Sequence, residues 1–197
     1  MLHAATTRRA VTLLLATVTW VGLLGIAQAA YAPVEPYAGY QPQTNCAPKA
    51  KPGTQALGRW VVRTYGGGYG RISASCTGRS VSEHKEGRAF DWTLNAARAG
   101  DRARATRFLN RIFATGPSGE PAELARRMGV MYVIWSDRIY ASYDQFRARA
   151  YKSSSCKRLA TCSKTLRHRD HMHISLTRGG GLGRTSWYAG RVPARIR

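Results

Sequence analysis

The chain is poor in acids. Ten Asp and Glu stand against 31 Lys and Arg, giving a net charge of +21 over 197 residues. Such an imbalance says little about fold but much about partners, which should be polyanions: nucleic acid, anionic lipid or anionic cell-wall polymers. Histidine is scarce too, with five in all. CxxC spacing is missing, which removes the commonest cysteine zinc arrangements. There is no internal repeat. After the first 30 residues no apolar run is long enough to span a membrane. A hydrophobic share of 44% nevertheless excludes a wholly disordered chain, and the length suits one domain with short appendages.

What is present begins with a leader. Arg8 and Arg9 precede an uncharged run from Val11 to Ile26, followed by the small-residue site Ala27-Gln28-Ala29. This order predicts a secretory signal peptide over residues 1–29. The paired arginines leave Sec and twin-arginine export both open, and the run is short for a membrane anchor of about 20 residues. Its removal takes away two arginines and no acid, lowering the charge from +21 to +19. The mature protein is expected to be secreted or wall-associated, free of the membrane, and monomeric. Residues 30–45 hold three prolines and three tyrosines without periodicity and read as an extended linker. A single domain of about 150 residues then runs over 46–197 and ends in a short basic tail.

Export gives the cysteines meaning. Cys46, Cys76, Cys156 and Cys162 all fall in the mature chain, and an even number predicts two disulfides. Cys156 and Cys162 enclose five residues, which favours Cys156–Cys162 together with Cys46–Cys76.

Apolar spacing predicts helices over Thr54–Tyr65, Asp101–Thr115 and Pro121–Met128. Strands are expected at Ala89–Leu94, Val130–Trp135, Ile139–Ser142 and His171–Leu176, the second and third joined as a hairpin through Ser136-Asp137-Arg138. Residues 66–80 and most of 144–169 read as loop, and Gly179-Gly180-Gly181 as a break. Helices and an antiparallel hairpin segregated along the chain give an α+β class, with a small antiparallel sheet and helices on one side.

The mature histidines, His84, His168, His171 and His173, fall in two short segments that also hold Glu83, Glu86, Asp91 and Asp170. In the first segment Asp91 follows His84 by seven positions, with Gly87 allowing a tight bend between them. A carboxylate among Phe90 and Trp92 is costly unless a cation meets it, either a metal ion or an Arg or Lys. In the second segment His171 and His173 share one strand face, while Met172 and Ile174 turn to the core. A His, an Asp and a His with one open position make a catalytic zinc site. Taken singly, each residue is more often a satisfied core group or a salt-bridge partner; the joint pattern favours the metal.

Ser82-x-His84-x-x-Gly87-x-Ala89-x-Asp91 followed by His171-x-His173 resembles the D-Ala-D-Ala carboxypeptidase branch of the lysostaphin/D-Ala-D-Ala-carboxypeptidase/hedgehog metallopeptidase superfamily. Ser82 to Trp92, Tyr132 to Tyr140 and Asp170 to Ser175 also resemble a group of mostly uncharacterised secreted domains from high-GC Gram-positive bacteria. The resemblance spans about Cys46 to Leu176. It implies a hedgehog/DD-peptidase-like fold, Zn2+ held by His84, Asp91 and His173, and a general base at Asp170 or His171. We favour His171 as the proton carrier, with Asp170 orienting it. It also implies an arginine ahead of the first ligand, for which Arg71 is the candidate and Arg63 and Arg79 the alternatives. The Glu-x-Trp-His form of the second motif is absent, and no residue for a substrate's terminal carboxylate can be singled out.

The function implied is a secreted zinc peptidase acting on peptidoglycan peptides, of D,D-carboxypeptidase or endopeptidase type. A catalytically inactive wall- or zinc-binding module on the same scaffold is the alternative. Nucleic acid is disfavoured as a partner: no reader motif is present, the chain carries an export signal, and the arginines of 101–115 read as a solvated helix face.

Overall fold

The computed structural model describes residues 32–194. The predicted signal peptide lies outside the described residues. Helix α1 spans Pro52–Tyr65, with Pro52 opening its first turn, where a missing N–H costs nothing. Gly68–Tyr69 (β1) and Ala89–Thr93 (β2) follow, then helices α2 (Ala99–Phe113) and α3 (Glu123–Arg127). The hairpin β3 (Val130–Trp135) and β4 (Arg138–Ala141) turns through Ser136 and Asp137, both at positive φ. β5 (Ala148–Ala150), β6 (His171–Leu176) and α4 (Arg178–Leu182) complete the order. The result is an α+β fold with one open, six-stranded sheet, ordered β1-β2-β6-β3-β4-β5 and antiparallel at every pairing. Among the described residues no helix is long and apolar enough to cross a membrane.

The core explains the polarity of the sheet. Phe90, Trp92, Met172 and Ile174 are buried against Leu57 and Val61 of α1 and Phe108 and Ile112 of α2. Tyr65, Trp92 and Phe108 join the three elements through ring contacts of 5.5 to 6.0 Å. Alternation along β2 and β6 turns Asp91, His171 and His173 to the other face. Phe108→Ala should therefore lower unfolding free energy by about 3–5 kcal/mol, read from the denaturant midpoint; a loss below 1 kcal/mol would show that α2 is not part of this core.

Three elements depart from the sequence reading. β1 and β5 are strands in segments expected to be loop, and the Gly179–Gly181 stretch expected to break the chain lies in α4. Glycine is a poor helix former, but here it permits close approach: a Cβ on Gly180 would stand 2.8 Å from the Gly129 carbonyl oxygen. The Thr177 hydroxyl caps this helix by accepting from Gly180 N at 2.9 Å.

The segment expected to be a linker is extended over its described part, but it is not a free tether. It lies as a strap along the domain. Ala38 N donates to Ser142 Oγ at 2.8 Å, Thr44 N to Glu86 Oε1 at 3.0 Å, and the Arg88 guanidinium to the Gln41 carbonyl at 2.5 Å. Disulfides join Cys46 to Cys76 and Cys156 to Cys162, each with Cα atoms 5.8 Å apart.

Candidate metal centre

His84 sits on a short 3-10 turn, Glu83–Glu86, capped by the Ser82 hydroxyl, which accepts from His84 N at 3.3 Å. Gly87 ends the turn in the left-handed conformation, φ 65°, and a Cβ there would strike the Lys49 carbonyl. The turn leads directly into β2, which carries Asp91. β2 and β6 are paired so that Asp91 is opposite His173 and Thr93 opposite His171. Thus one bend and one strand pairing bring the three predicted ligands together.

Their ligand atoms form a small triangle. His84 Nε2 is 3.0 Å from Asp91 Oδ1 and 3.2 Å from His173 Nδ1, and His173 Nδ1 is 3.1 Å from Asp91 Oδ1. All three residues are buried. The other nitrogen of His84, Nδ1, is 2.8 Å from the Ile72 carbonyl oxygen and can only donate to it. A neutral imidazole carries one ring proton. His84 Nε2 is then a lone pair facing a carboxylate oxygen and a second imidazole, a set a shared cation satisfies. Zn–N bonds of 2.0–2.1 Å set tetrahedral ligand atoms about 3.3 Å apart, close to the spacing seen. The group could hold a metal ion, and its donors, two imidazoles and one carboxylate, suit a divalent transition metal.

The surroundings reinforce the site. Burial alone would raise the Asp91 carboxyl; the polar contacts of its Oδ1 with the His173 and His84 imidazoles outweigh this and hold it far below the usual carboxylate range. Arg71 Nη2 lies 3.3 Å from Asp91 Oδ2, with most of its side chain exposed. No ion pair joins Arg63 or Arg79 to Asp91 among the described residues. His171 Nε2 approaches Asp91 Oδ1 to 3.7 Å, and its Nδ1 is 2.6 Å from Asp170 Oδ1. Asp170 Oδ2 accepts in turn from Thr165 Oγ1 at 2.6 Å. The site therefore opens to solvent along Arg71, His171 and Asp170.

Three contributors were not assigned from sequence. The Tyr132 ring lies flat on His173, centroids 5.6 Å apart, and its hydroxyl donates to buried Glu83 at 2.5 Å. Burial, then the Glu83 charge, pushes this phenol well above its usual range, so it stays a donor. His168 packs against His171 and His173 at 4.8 and 5.7 Å between ring centroids. A polar aromatic inside the apolar run of β3 was the available signal for Tyr132.

Burial, followed by the charges of His173 and His171, holds His168 down to about 3. Burial likewise lowers His173, against its bond to Asp91. A lowered imidazole binds fewer protons folded than unfolded. Its contribution is complete above the unfolded value of about 6.5 and is lost as pH falls toward 3. The metal-free protein should thus unfold at lower urea at pH 5 than at pH 7.5, and His168→Gln should shrink that difference. An unchanged difference in the variant would remove His168 from the account.

These features define the class: an α+β domain with a buried His-Asp-His cluster on the face of an antiparallel sheet opposite the core packed by α1 and α2. The family model described as VldE, C-terminal domain, matches residues 46–158, and the chain belongs to that family. The match covers α1 through β5, with His84 and Asp91, and stops before the strand that bears His173. No curated protein and no solved structure matches the chain.

Proposed function

We propose that this is a secreted zinc-dependent peptidase-like domain that hydrolyses peptide bonds of peptidoglycan, with a hedgehog/DD-peptidase-like arrangement of its site. The observation that carries the reading is the convergence of His84 Nε2, Asp91 Oδ1 and His173 Nδ1 beside an oriented His171–Asp170 pair. His84, Asp91 and His173 would hold zinc, which as a Lewis acid polarises a carbonyl and eases ionisation of water. Asp170 accepts from His171 Nδ1 and so leaves Nε2 as the nitrogen that takes a proton from the attacking water. The same Nε2 returns that proton to the leaving amine. Arg71, exposed at the mouth and 3.3 Å from Asp91 Oδ2, would stabilise the oxygen on which negative charge develops. The surplus positive charge suits attraction to anionic wall polymers.

His171→Ala should retain the metal and lose about 100-fold or more in turnover of cross-link peptides, the usual scale for a general acid–base group. Digestion of purified peptidoglycan followed by mass spectrometry of the fragments is the test. Zinc binding without cleavage of any wall peptide would select a non-catalytic zinc- or wall-binding module instead.

A further inference from the structure

A second feature lies on the helical side of the sheet. Arg59, Trp60 and Arg63 of α1, with Trp187 and Arg191 of the C-terminal segment and Ala56 beneath, line an open groove of about 200 Å³. Arg59, Arg63 and Arg191 are exposed, and Trp60 is half-buried. The Arg191 guanidinium stacks over the Trp187 ring at 4.7 Å and donates to the Trp187 carbonyl at 2.6 Å. The indoles of Trp60 and Trp187 meet edge to face at 5.5 Å. Three cations and two aromatic rings thus share one concavity.

The acids give no help there. Each of the ten is engaged elsewhere: Glu35 with Ser186, Glu83 with Tyr132, Glu86 with Arg88, Asp91 at the metal centre, Asp170 with His171, and the remaining five with Arg104, Arg126, Arg127, Arg167 and the Arg147–Arg149 pair. Among the described residues no carboxylate lines the groove or forms an ion pair with Arg59, Arg63 or Arg191. Guanidinium groups pair with phosphate and carboxylate oxyanions in a planar fork, and indole faces accept the apolar faces of sugar and polyol units.

We propose that this groove is a binding site for an anionic wall polymer, whose repeated phosphodiester or carboxylate groups pair with Arg59, Arg63 and Arg191 while an adjoining sugar or polyol unit packs on Trp60. The inference deepens the wall-binding part of the proposed function and is independent of hydrolysis. It gives the domain a second contact with its substrate's matrix, remote from the metal ligands.

The test measures binding of the mature chain, metal ligands intact, to poly(glycerol phosphate) and to polygalacturonate as a function of salt, through tryptophan fluorescence and calorimetry. Arg59→Gln with Arg63→Gln should weaken binding at least about tenfold and reduce the salt slope by about two. Arg138→Gln with Arg158→Gln removes the same charge from exposed positions outside the groove and should keep both values. Trp60→Phe keeps all charges and should weaken binding and abolish most of the fluorescence change. Stronger binding of one polymer identifies the source of the oxyanion and supports the site. Equal losses in the two double variants would overturn it, as would a duplex oligonucleotide of the same charge competing on equal terms. Because the readout is binding, failure here leaves the peptidase reading standing, and inactivity toward wall peptides leaves this site standing.

Discussion

His84→Ala should leave a folded, disulfide-bonded domain that no longer retains stoichiometric zinc. Altering a partner that only orients a ligand already costs 10–100-fold in metal affinity, so removal of a ligand atom should cost more than about 100-fold. His173→Ala should do the same, because its Nδ1 is one corner of the triangle with His84 Nε2 and Asp91 Oδ1. The fold should survive in both. His84 is held by the turn it occupies and by the Ile72 carbonyl, while the core lies on the opposite face of β2 and β6. Elemental analysis of the purified variants gives the metal content, and circular dichroism the fold. Full zinc occupancy in either variant would remove that residue from the site.

The second large effect is expected at Arg88. Its side chain is almost fully buried, yet it carries a full charge. It donates to Glu86 Oε2 at 2.6 Å and to the Leu176 carbonyl at 2.7 Å, reaches the strap at the Gln41 carbonyl, and stands 3.8 Å from Glu83 Oε1. Burial would raise the Glu86 carboxyl, but its bonds from Thr44 and Arg88 hold it below its ordinary value. Arg88→Met takes the buried cation from two buried carboxylates, leaving Glu86 with the more exposed Arg178 at 3.9 Å and Glu83 with the Tyr132 hydroxyl. Breaking a buried pair in this way costs about 3–5 kcal/mol, a large part of the total for a domain of this size. The sign of Glu86's own contribution to the pH dependence should also reverse. In the native protein the lowered Glu86 contributes stability above about pH 4.5 and loses it as pH falls; in Arg88→Met the carboxyl should rise, so acidification from pH 7 to 5 should cost the variant less stability than it costs the native protein. Arg88→Met with Glu86→Gln should recover part of the loss at pH 7. Urea unfolding at pH 5 and 7 measures both effects, and a loss below 1 kcal/mol would show that the network is dispensable. Limited proteolysis should find the 32–45 strap cut faster in the single variant, because the Gln41 anchor is gone.

Each half of the metal cluster was legible in the sequence because its geometry is local, whereas the meeting of the two halves depends on the β2–β6 pairing across 82 residues. A bend at Gly87 and the two-residue period of β2 fix His84 relative to Asp91, and the same period puts His171 and His173 on one face. The rest depends on pairings that no local pattern records. β1 and β5, two and three residues long, exist because a neighbouring strand offers hydrogen bonds. α4 contradicts glycine's helix propensity because Gly180 must approach the backbone at Gly129. The strap reads as a linker by composition, since its attachment is made to residues 39 to 151 positions away, such as Ser82, Glu86 and Ser186. Tyr132 and Glu83 likewise meet across 49 residues and could be joined only by the fold.

The account rests on one divalent ion shared by two imidazoles and a carboxylate. Crystals grown with equimolar zinc, measured across the zinc absorption edge, test this most directly. The predicted result is one anomalous peak bounded by His84 Nε2, Asp91 Oδ1 and His173 Nδ1, with no fourth protein ligand. A triangle without density at full zinc loading, or a peak enclosed by four protein side chains, would contradict it.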